Sequence, residues 1–554
     1  MSVLGSPVGG HYDVAVIGGG ISGVQLARNA AGRGLRTVLL ERNDFGAGTS
    51  AATTKAIHGG LRYLEQYDFR VVAESGSERR YLGLAAPHLV QPRSFLLTAY
   101  DWSAPRAPVL GAGVALYEAM AWRRNAGVPK DIRSPRFRWI GKKALLTQVP
   151  WLSPDGLTGA WRHDDTLNIH PERLLLAILK SYVADGGTAL NHAEVTGLLR
   201  DDAGAVRGVR VNGHRDIAAT VTVNAAGPWV ASALGDLATT AGVRVRQAKG
   251  VHLVTRDLGN RDGVFVRGRN GRHIVVNPWQ GKTLVGPTDT PMSGSADEAA
   301  TEVEDINLLR ETLDSVSATP LVREDVESTI VGVRPLIDDG SDTYTSSRRF
   351  EIRDHAPTGL PGLYSVTGGK WTTGRAMGQK VTDTLIRAHR GSLPPTRDFD
   401  SRHLDLSTSF GDYDTVTAAF EAAAARVPSA DLPRDTRIHL ARLYGTEHEA
   451  VLRLVVEDPR LATPVPGSSD ILAQAVYAVT HEAAETLQDV LDRRMTVGTL
   501  GLVRETAARL VAATVAPLLG WEAERRDAEV AGYLGLQAAE TAVLDEAFAP
   551  GSSR

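Results

Sequence analysis

Cysteine is absent from the 554 residues of this chain. The protein therefore has no disulfide bonds, no thiolate nucleophile, no cysteine-ligated iron–sulfur cluster and no dithiol redox centre. The absence fits a reducing cytoplasm, although proteins of other compartments also lack cysteine. Histidine, aspartate and glutamate form no compact group with metal-ligand spacing, so we expect no metal site.

Long apolar runs and an excess of one charge are also missing. The formal net charge is −3, from 61 Lys and Arg against 64 Asp and Glu, which gives no reason to expect nucleic-acid binding. No apolar stretch has the length of a membrane-spanning helix, and residues 1–10 lack the basic and apolar regions of a secretory signal. We therefore expect a cytoplasmic protein, with peripheral attachment to the cytoplasmic face of a membrane left open.

Glycine, in contrast, is abundant, with 56 residues, and its most informative cluster is Gly18-Gly19-Gly20-Ile21-Ser22-Gly23. The apolar residues 12–17 precede it and predict a buried parallel strand. Helical spacing follows over residues 21–33, and residues 37–40 predict a second strand that ends on Glu41. Strand, glycine turn, helix, strand and terminal acid occur in the order of a dinucleotide-binding unit.

Each part of this unit has a physical role. Gly18 allows a tight turn, Gly20 lets the backbone approach a pyrophosphate, and Gly23 lets the helix pack on the strand. The helix N-terminus presents free N–H groups to the phosphates. Glu41 can accept hydrogen bonds from ribose hydroxyls, which favours FAD or NAD over NADP.

The rest of the chain divides into two regions by the spacing of its apolar residues. Strand-like and helix-like segments alternate as far as about residue 390, which predicts an α/β architecture. Helical spacing then dominates in residues 437–453, 471–494 and 503–516. We expect a flexible tail over 1–10, a nucleotide- and substrate-binding part over 11–395, a helical domain over 407–540 and a tail over 541–554.

One apolar segment, residues 108–122, closes on Arg123-Arg124 and has two interpretations. We interpret it as a buried helix. The alternative is an amphipathic helix at a membrane interface, with the arginines at the level of the lipid headgroups.

A second glycine-rich passage runs from Phe45 through Gly48-Thr49-Ser50 to His58-Gly59-Gly60. Thr49 and Ser50 can donate hydrogen bonds to a phosphate, and the His58-Gly59-Gly60 backbone can run close against a flat ring. A surface loop is the alternative interpretation.

Further passages carry a resemblance to a known family. They are Ala30-Ala31-Gly32-Arg33-Gly34-Leu35, Ile57-His58-Gly59-Gly60-Leu61-Arg62-Tyr63-Leu64-Glu65, Ala86-Pro87-His88-Leu89-Val90, Val223-Asn224-Ala225-Ala226-Gly227-Pro228-Trp229, Lys249-Gly250-Val251-His252-Leu253-Val254, Thr288-Asp289-Thr290, Gly332-Val333-Arg334-Pro335-Leu336 and Gly368-Gly369-Lys370-Trp371-Thr372-Thr373. Over nearly its whole length the chain resembles the FAD-dependent glycerol-3-phosphate dehydrogenases, within the amino-acid-oxidase-like flavoproteins. Two departures, Gly286-Pro287-Thr288-Asp289 for Gly-Thr-Thr-Asp and Ala225-Ala226-Gly227 for Ala-Thr-Gly, remove no charged group.

The resemblance implies a fold and a cofactor. The fold is a Rossmann-like FAD-binding domain interleaved with a substrate domain on a mixed or antiparallel sheet, plus an all-helical C-terminal domain. The cofactor is FAD. The implied FAD contacts are Gly18, Gly19, Gly20, Ile21, Ser22, Gly23, Glu41, Arg42, Thr49, Ser50, His58, Gly59, Val195, Ala226, Gly227, Gly369, Lys370, Trp371 and Thr372.

The resemblance also implies a reaction. It is the oxidation of sn-glycerol 3-phosphate to dihydroxyacetone phosphate by hydride transfer from C2 to FAD. The electrons then pass to membrane quinone or, in a related branch, to oxygen. A homodimer is implied as well.

The substrate is a phosphate dianion, which calls for cationic groups. The resemblance assigns His252, Arg334 and Lys370 to catalysis, and Arg62, Tyr63 and Arg348 to substrate binding. His252 is the candidate general base, with a satisfied core histidine as the alternative. Arg349 is the alternative to Arg348.

Two other functions stay open at this point. An oxidase of an amino acid or a 2-hydroxy acid would use the same fold with an arginine clamp for a carboxylate. A flavin-based sensor would bind FAD that glycerol phosphate does not reduce.

Overall fold

The computed structural model describes residues 3–5, 8–60, 68–337, 349–402 and 413–550. The strands within them are β1 (Val3–Gly5), β2 (Tyr12–Ile17), β3 (Thr37–Leu40), β4 (Ala56–Ile57), β5 (Val90–Tyr100), β6 (Arg138–Gly141), β7 (Leu157–Asn168), β8 (Thr188–Leu190), β9 (Val195–Arg200), β10 (Val206–Val211), β11 (Arg215–Asn224), β12 (Arg246–Arg256), β13 (Gly263–Arg267), β14 (His273–Trp279), β15 (Lys282–Gly286), β16 (Thr290–Met292), β17 (Val326–Leu336), β18 (Phe350–Asp354) and β19 (Leu363–Gly368). The helices are α1 (Ile21–Gly32), α2 (Phe69–Ala85), α3 (Ala107–Met120), α4 (Lys142–Gln148), α5 (Pro171–Ala184), α6 (Leu237–Ala241), α7 (Val303–Asp314), α8 (Gly374–Ala388), α9 (Val416–Ala424), α10 (Arg434–Tyr444), α11 (His448–Glu457), α12 (Leu472–Glu482), α13 (Glu505–Leu519) and α14 (Ala523–Ala547).

The first sheet is parallel at its centre. Its order is β1-β8-β3-β2-β11-β10-β9, with β19 beside β11 and β18 beside β19. β8, β3, β2, β11 and β19 run parallel to their neighbours in that group. Helices α1, α5 and α8 share one apolar cluster with these strands, so the central strands are buried as continuous apolar segments. The predicted Rossmann-like domain is confirmed.

The second sheet is mostly antiparallel. Its order is β16-β12-β15-β14-β13-β5-β7-β4, with β17 beside β12 and β6 beside β7, and only β13 and β5 among its described pairs run parallel. Strands β12 and β17 pair over most of their length, with Gly250 opposite Gly332 and His252 opposite Ile330. This is the predicted mixed sheet of the substrate domain.

Helices α9 to α14 follow the two sheets, as the helical spacing predicts. The spacing over 437–453 belongs to two helices, α10 and α11, rather than one. The spacing over 471–494 also breaks, because α12 ends before Ala483, whose φ is 54°, and a π-helical turn follows at Asp489–Arg494. Apolar periodicity continues across both breaks because the residues before and after each break pack into one apolar cluster.

Buried ion pairs join the helical segment to the first sheet. Asp44, which is fully buried, follows β3 and accepts hydrogen bonds from Arg494 Nη1 at 2.6 Å and Nη2 at 2.8 Å. On α5, Arg173 Nη1 lies 2.6 Å from Glu482 Oε2 of α12. Removing one member of such a pair leaves an uncompensated buried charge, which costs about 3–5 kcal/mol. The two regions therefore depend on each other for stability.

Helix α3 covers residues 108–120 of the ambiguous apolar segment 108–122, and the interpretation of this segment as a buried helix is wrong. Its buried residues are Gly111, Val114, Tyr117 and Glu118. Val109, Leu116 and the following Trp122 are 62%, 45% and 76% exposed, respectively. One face of the helix packs on the protein and another is exposed, a division that hydropathy alone does not reveal. In the part of the chain that the structure describes, no helix is long and apolar enough to cross a bilayer.

Candidate active site

A cavity of about 1620 Å³ is lined by residues from both sheets. The predicted site residues that line it are Gly18, Gly20, Ile21, Ser22, Glu41, Arg42, Thr49, Ser50, His58, Val195, Ala226, Gly227, His252, Arg334, Gly369, Lys370, Trp371 and Thr372. Gly19 and Gly59 belong to the same loops and Gly23 to the first turn of α1, and none of the three lines the cavity. Arg62, Tyr63 and Arg348 lie outside the described residues. The structure thus brings residues predicted to bind FAD and the residues predicted for catalysis to one cavity.

The glycine loop between β2 and α1 is too tight for side chains. Gly18 has a φ of +105°, and a Cβ on Gly23 would lie 1.9 Å from the Gly18 carbonyl oxygen. A Cβ on Gly19 would lie 2.7 Å from the Glu41 Cβ. The loop is therefore a backbone surface at the start of a helix, the arrangement that receives a pyrophosphate.

Glu41 stands at the end of β3 beside this loop. Its Oε2 accepts a hydrogen bond from Gly19 N at 2.6 Å and its Oε1 accepts one from Asn43 N at 2.8 Å. Burial raises the pKa of the Glu41 carboxyl, while the two amide donors lower it. A half-buried acceptor next to a bare backbone loop fits the ribose and pyrophosphate of FAD.

Thr49 and Ser50 have partners other than the expected phosphate. Ser50 Oγ accepts a hydrogen bond from Ile21 N at 2.9 Å, at the first residue of α1. Thr49 Oγ1 donates to the Val333 carbonyl oxygen in β17. Both hydroxyls therefore tie the loop to its neighbours. Arg42 pairs with Asp297 at 2.6 Å and lies 5.4 Å from the centre of the Trp229 ring, at the outer end of the same site.

The passage His58-Gly59-Gly60 is held by residues that the sequence did not single out. Gly59 N donates to Asp165 Oδ1 at 2.8 Å, and this oxygen also accepts from Arg79 Nη1 at 2.7 Å and Tyr117 OH at 3.1 Å. A Cβ on Gly59 would lie 2.0 Å from Tyr117 OH, so glycine is required there. Arg79, Tyr117 and Asp165 are far apart in sequence, and no local motif links them.

Lys370 and Trp371 follow the glycine pair at the end of β19. Lys370 Nζ donates to Ser75 Oγ of α2 at 2.7 Å, and Trp371 Nε1 donates to the Ser50 carbonyl oxygen at 3.3 Å. Gly368 and Gly369 have φ values of +73° and +90°, which let the chain turn into the cavity. The loop after β19 is thus in contact with Ser50 of the second glycine-rich passage.

His252 lies on β12, 3% exposed, where it lines the cavity. Its Nε2 is 3.1 Å from Thr54 Oγ1, and its buried Nδ1 has no hydrogen-bond partner among the described residues. Burial, followed by the charges of Arg334 and Lys55, lowers the pKa of His252 to about 3. The imidazole is therefore neutral near pH 7 and has a lone pair to accept a proton.

Arg334 extends from β17 over β12. A Cβ on Gly250 would lie 2.4 Å from Arg334 Nη2, so the bare glycine makes room for the guanidinium. Arg334 Nη1 donates to Asp289 Oδ1 at 3.2 Å and Nη2 donates to the Thr288 carbonyl oxygen at 3.2 Å. The departure at Gly286-Pro287 leaves this arrangement in place, because Thr288 still pairs with the Val251 backbone.

Arg349, the alternative to Arg348, makes a different contact. Its Nε donates to Asp68 Oδ2 at 3.1 Å and its Nη2 donates to Asp68 Oδ1 at 3.0 Å, and its side chain is 61% exposed. It is absent from the cavity lining. Among the described residues no group of three or more His, Asp or Glu has the geometry of a metal site.

Comparison with known proteins gives two matching family models. One, described as FAD dependent oxidoreductase, matches residues 13–384. The other, described as the C-terminal domain of alpha-glycerophosphate oxidase, matches residues 408–526. Together they span both sheets and most of the helical segment.

Individual proteins match over nearly the whole chain. A glycerol-3-phosphate dehydrogenase of Synechocystis is 32% identical, covering 94% of this chain and 95% of that protein. One from Mycobacterium leprae is 34% identical, covering 94% and 87%. Among solved structures, the glycerol-3-phosphate dehydrogenase of Bacillus halodurans, complexed with FAD, has a TM-score of 0.74 at 26% identity, covering 96% and 95% of the two chains.

Proposed function

Because the chain belongs to the FAD-dependent glycerol-3-phosphate dehydrogenase family and is an FAD-dependent oxidoreductase, we propose that it oxidises sn-glycerol 3-phosphate to dihydroxyacetone phosphate. The observation that carries the proposal is the position of His252, Arg334 and Lys370 around one cavity with the nucleotide-binding loop. A base and two cations suit a substrate with a secondary hydroxyl and a phosphate dianion.

The chemistry divides between the protein and its cofactor. Oxidation at C2 removes the hydroxyl proton and a hydride, which leaves the ketone. Bound FAD supplies the acceptor for the hydride. His252 accepts the hydroxyl proton, while Arg334 and Lys370 hold the phosphate and orient C2. Substrate entry also brings negative charge beside Arg334, which offsets the cation that lowers the pKa of His252.

The electron acceptor is proposed to be a quinone that reaches the site from a membrane surface. Val109, Ala112 and Leu116 of α3 line the cavity and are exposed. Exposed basic residues flank the helix in the sequence: Arg106 precedes it, and Arg123, Lys130, Arg133, Arg136 and Arg138 follow it. Exposed apolar side chains together with nearby basic residues suit the surface of an anionic bilayer, which attracts each Lys or Arg by about 1 kcal/mol.

The test of the substrate is the visible spectrum of the purified flavoprotein without oxygen. Glycerol 3-phosphate should bleach the flavin bands rapidly, whereas an amino acid or a 2-hydroxy acid should bleach them slowly or not at all. Bands that persist with glycerol 3-phosphate would refute the substrate. Rapid bleaching by a hydroxy acid or an amino acid would favour an oxidase of that class, and bands that no substrate bleaches would favour a sensor.

The test of the acceptor compares two oxidants of the reduced enzyme. We expect a soluble quinone to reoxidise it much faster than oxygen does. Vesicles that contain anionic lipid should sediment the protein, and Trp122→Ser should weaken that binding. Leu536→Ser is the matched control, because Leu536 is 60% exposed on α14. Rapid peroxide formation with no quinone reduction would refute the quinone proposal, and equal sedimentation of both variants would refute the membrane surface.

A further inference from the structure

Lys55 is buried next to the catalytic histidine in an uncommon backbone conformation. It is 1% exposed and has a φ of 55°, which is costly for a residue with a side chain. Its Nζ donates to the Ala51 carbonyl oxygen at 3.1 Å and to Glu172 Oε1 at 2.8 Å. The ammonium therefore fastens residues 51–55 to α5 across 117 positions of sequence.

Glu172 connects this ion pair to the helical segment. Its Oε2 lies 2.9 Å from His170 Nδ1, and His170 Nε2 lies 3.2 Å from the Met495 carbonyl oxygen. Burial opposes ionisation of Glu172, but Lys55 and His170 outweigh it and lower its pKa to about 2. The carboxylate is thus charged, with the Lys55 ammonium bound to one oxygen and the His170 ring beside the other.

Thr54 transmits the position of this segment to His252. Its Oγ1 lies 3.1 Å from His252 Nε2, and its carbonyl oxygen accepts a hydrogen bond from Asn277 Nδ2 at 3.1 Å. The Lys55 carbonyl oxygen accepts from Asn168 N at 2.9 Å, so the backbone on both sides of Thr54 is held. A hydroxyl in a fixed place determines the ring orientation of its histidine partner.

Buried ion pairs contribute little net stability compared with apolar residues of the same volume, and their clearest benefit is a defined geometry. On this basis, and resting on the proposed function, we propose that Lys55 and Glu172 are positioning residues for the reaction. Their ion pair fixes residues 53–55 so that Thr54 holds the His252 ring in the orientation that accepts the substrate's hydroxyl proton.

The direct test uses Thr54→Val, which removes the hydroxyl and keeps the shape, and Thr54→Ser, which keeps the hydroxyl. The bound flavin, the dissociation constant for glycerol 3-phosphate and the rate of flavin reduction are measured by anaerobic stopped flow. We expect Thr54→Val to keep FAD and substrate affinity but to lose roughly tenfold in reduction rate. Thr54→Ser should restore the rate, which a merely structural role would not explain.

Glu172→Gln tests the ion pair. Lys282→Met is the control, because Lys282, at the start of β15, forms a different ion pair, with Glu327 at 2.6 Å. We expect Glu172→Gln to reduce flavin about 10–100-fold more slowly and Lys282→Met to behave like the wild type. If Glu172→Gln fails to fold, the two Thr54 variants decide the question alone. Wild-type rates in Thr54→Val, or in folded Glu172→Gln, would overturn the positioning role. A wild-type enzyme that glycerol 3-phosphate does not bleach would instead overturn the proposed function.

Discussion

Replacing Arg334 by alanine tests the substrate site most directly. The guanidinium is held by Asp289 and the Thr288 carbonyl, each at 3.2 Å, above the bare backbone of Gly250. A hydrogen bond to a charged group contributes about 1.5–3 kcal/mol, so losing its contact with the phosphate should reduce kcat/KM about 10–100-fold. If the contact also strengthens in the transition state, kcat falls as well, and the reduction in activity exceeds about 10²-fold. FAD should be retained.

The same substitution has a second effect, on the pH dependence of flavin reduction. After burial, Arg334 is the largest cause of the lowered pKa of His252, ahead of Lys55. Removing its charge should raise the pKa of His252 from about 3 toward its ordinary value. As the pH is lowered at saturating substrate, the rate of flavin reduction should therefore begin to fall at a higher pH in the variant than in the wild type.

The assay is anaerobic stopped flow at saturating and limiting glycerol 3-phosphate from pH 5 to 8. Arg334→Lys should fall between alanine and wild type, because it keeps the charge and loses the planar donor pair. Arg256→Ala is the control, since Arg256 is an exposed arginine at the end of the neighbouring strand β12, where it pairs with Asp325. Near-normal turnover by Arg334→Ala would remove this residue from the site, and an unchanged acid limb would refute its electrostatic effect on His252.

Three further predictions concern FAD retention and stability. Gly23→Ala should yield flavin-free protein, because its Cβ would lie 1.9 Å from the Gly18 carbonyl oxygen; a normal flavin spectrum would contradict this. Glu41→Ala should weaken FAD binding about 10–100-fold in an apoenzyme titration, with Glu41→Gln less affected, and full retention would exclude its ribose role. The buried partners lower the pKa of both Glu172 and Glu482 to about 2, against an ordinary value of 4.5. Their stabilisation is thus complete above about pH 4.5 and lost as the pH falls toward 2, by up to ~3 kcal/mol each. The melting temperature should fall steeply over that range, and less steeply in Glu172→Gln.

The nucleotide-binding half of the site was predictable because its signal is contiguous. Gly18, Gly23 and Glu41 lie within one strand–turn–helix–strand unit, so their relative positions follow from local geometry. His252 and Arg334 are 82 residues apart, and only the family resemblance assigned both of them to one site. The structure pairs the two strands that carry them directly.

The supporting contacts were not predictable for the same reason. Asp165 meets Gly59 across 106 positions and Lys55 meets Glu172 across 117, and no periodicity encodes such a pairing. The break at Ala483 was missed because apolar spacing continues on both sides of it. The exposed face of α3 was missed because an apolar side chain has the same hydropathy whether it faces protein or solvent.

The ion pair between Asp44 and Arg494 has a consequence for the order of events during synthesis. The two residues are 450 positions apart, which a ribosome covers in roughly 20–90 s at about 5–20 residues per second. During that time the Asp44 carboxylate, which is buried in the folded protein, has no cation to pair with. We therefore expect the newly made chain to acquire its flavin late, after the helical segment has docked, rather than as the first strands emerge.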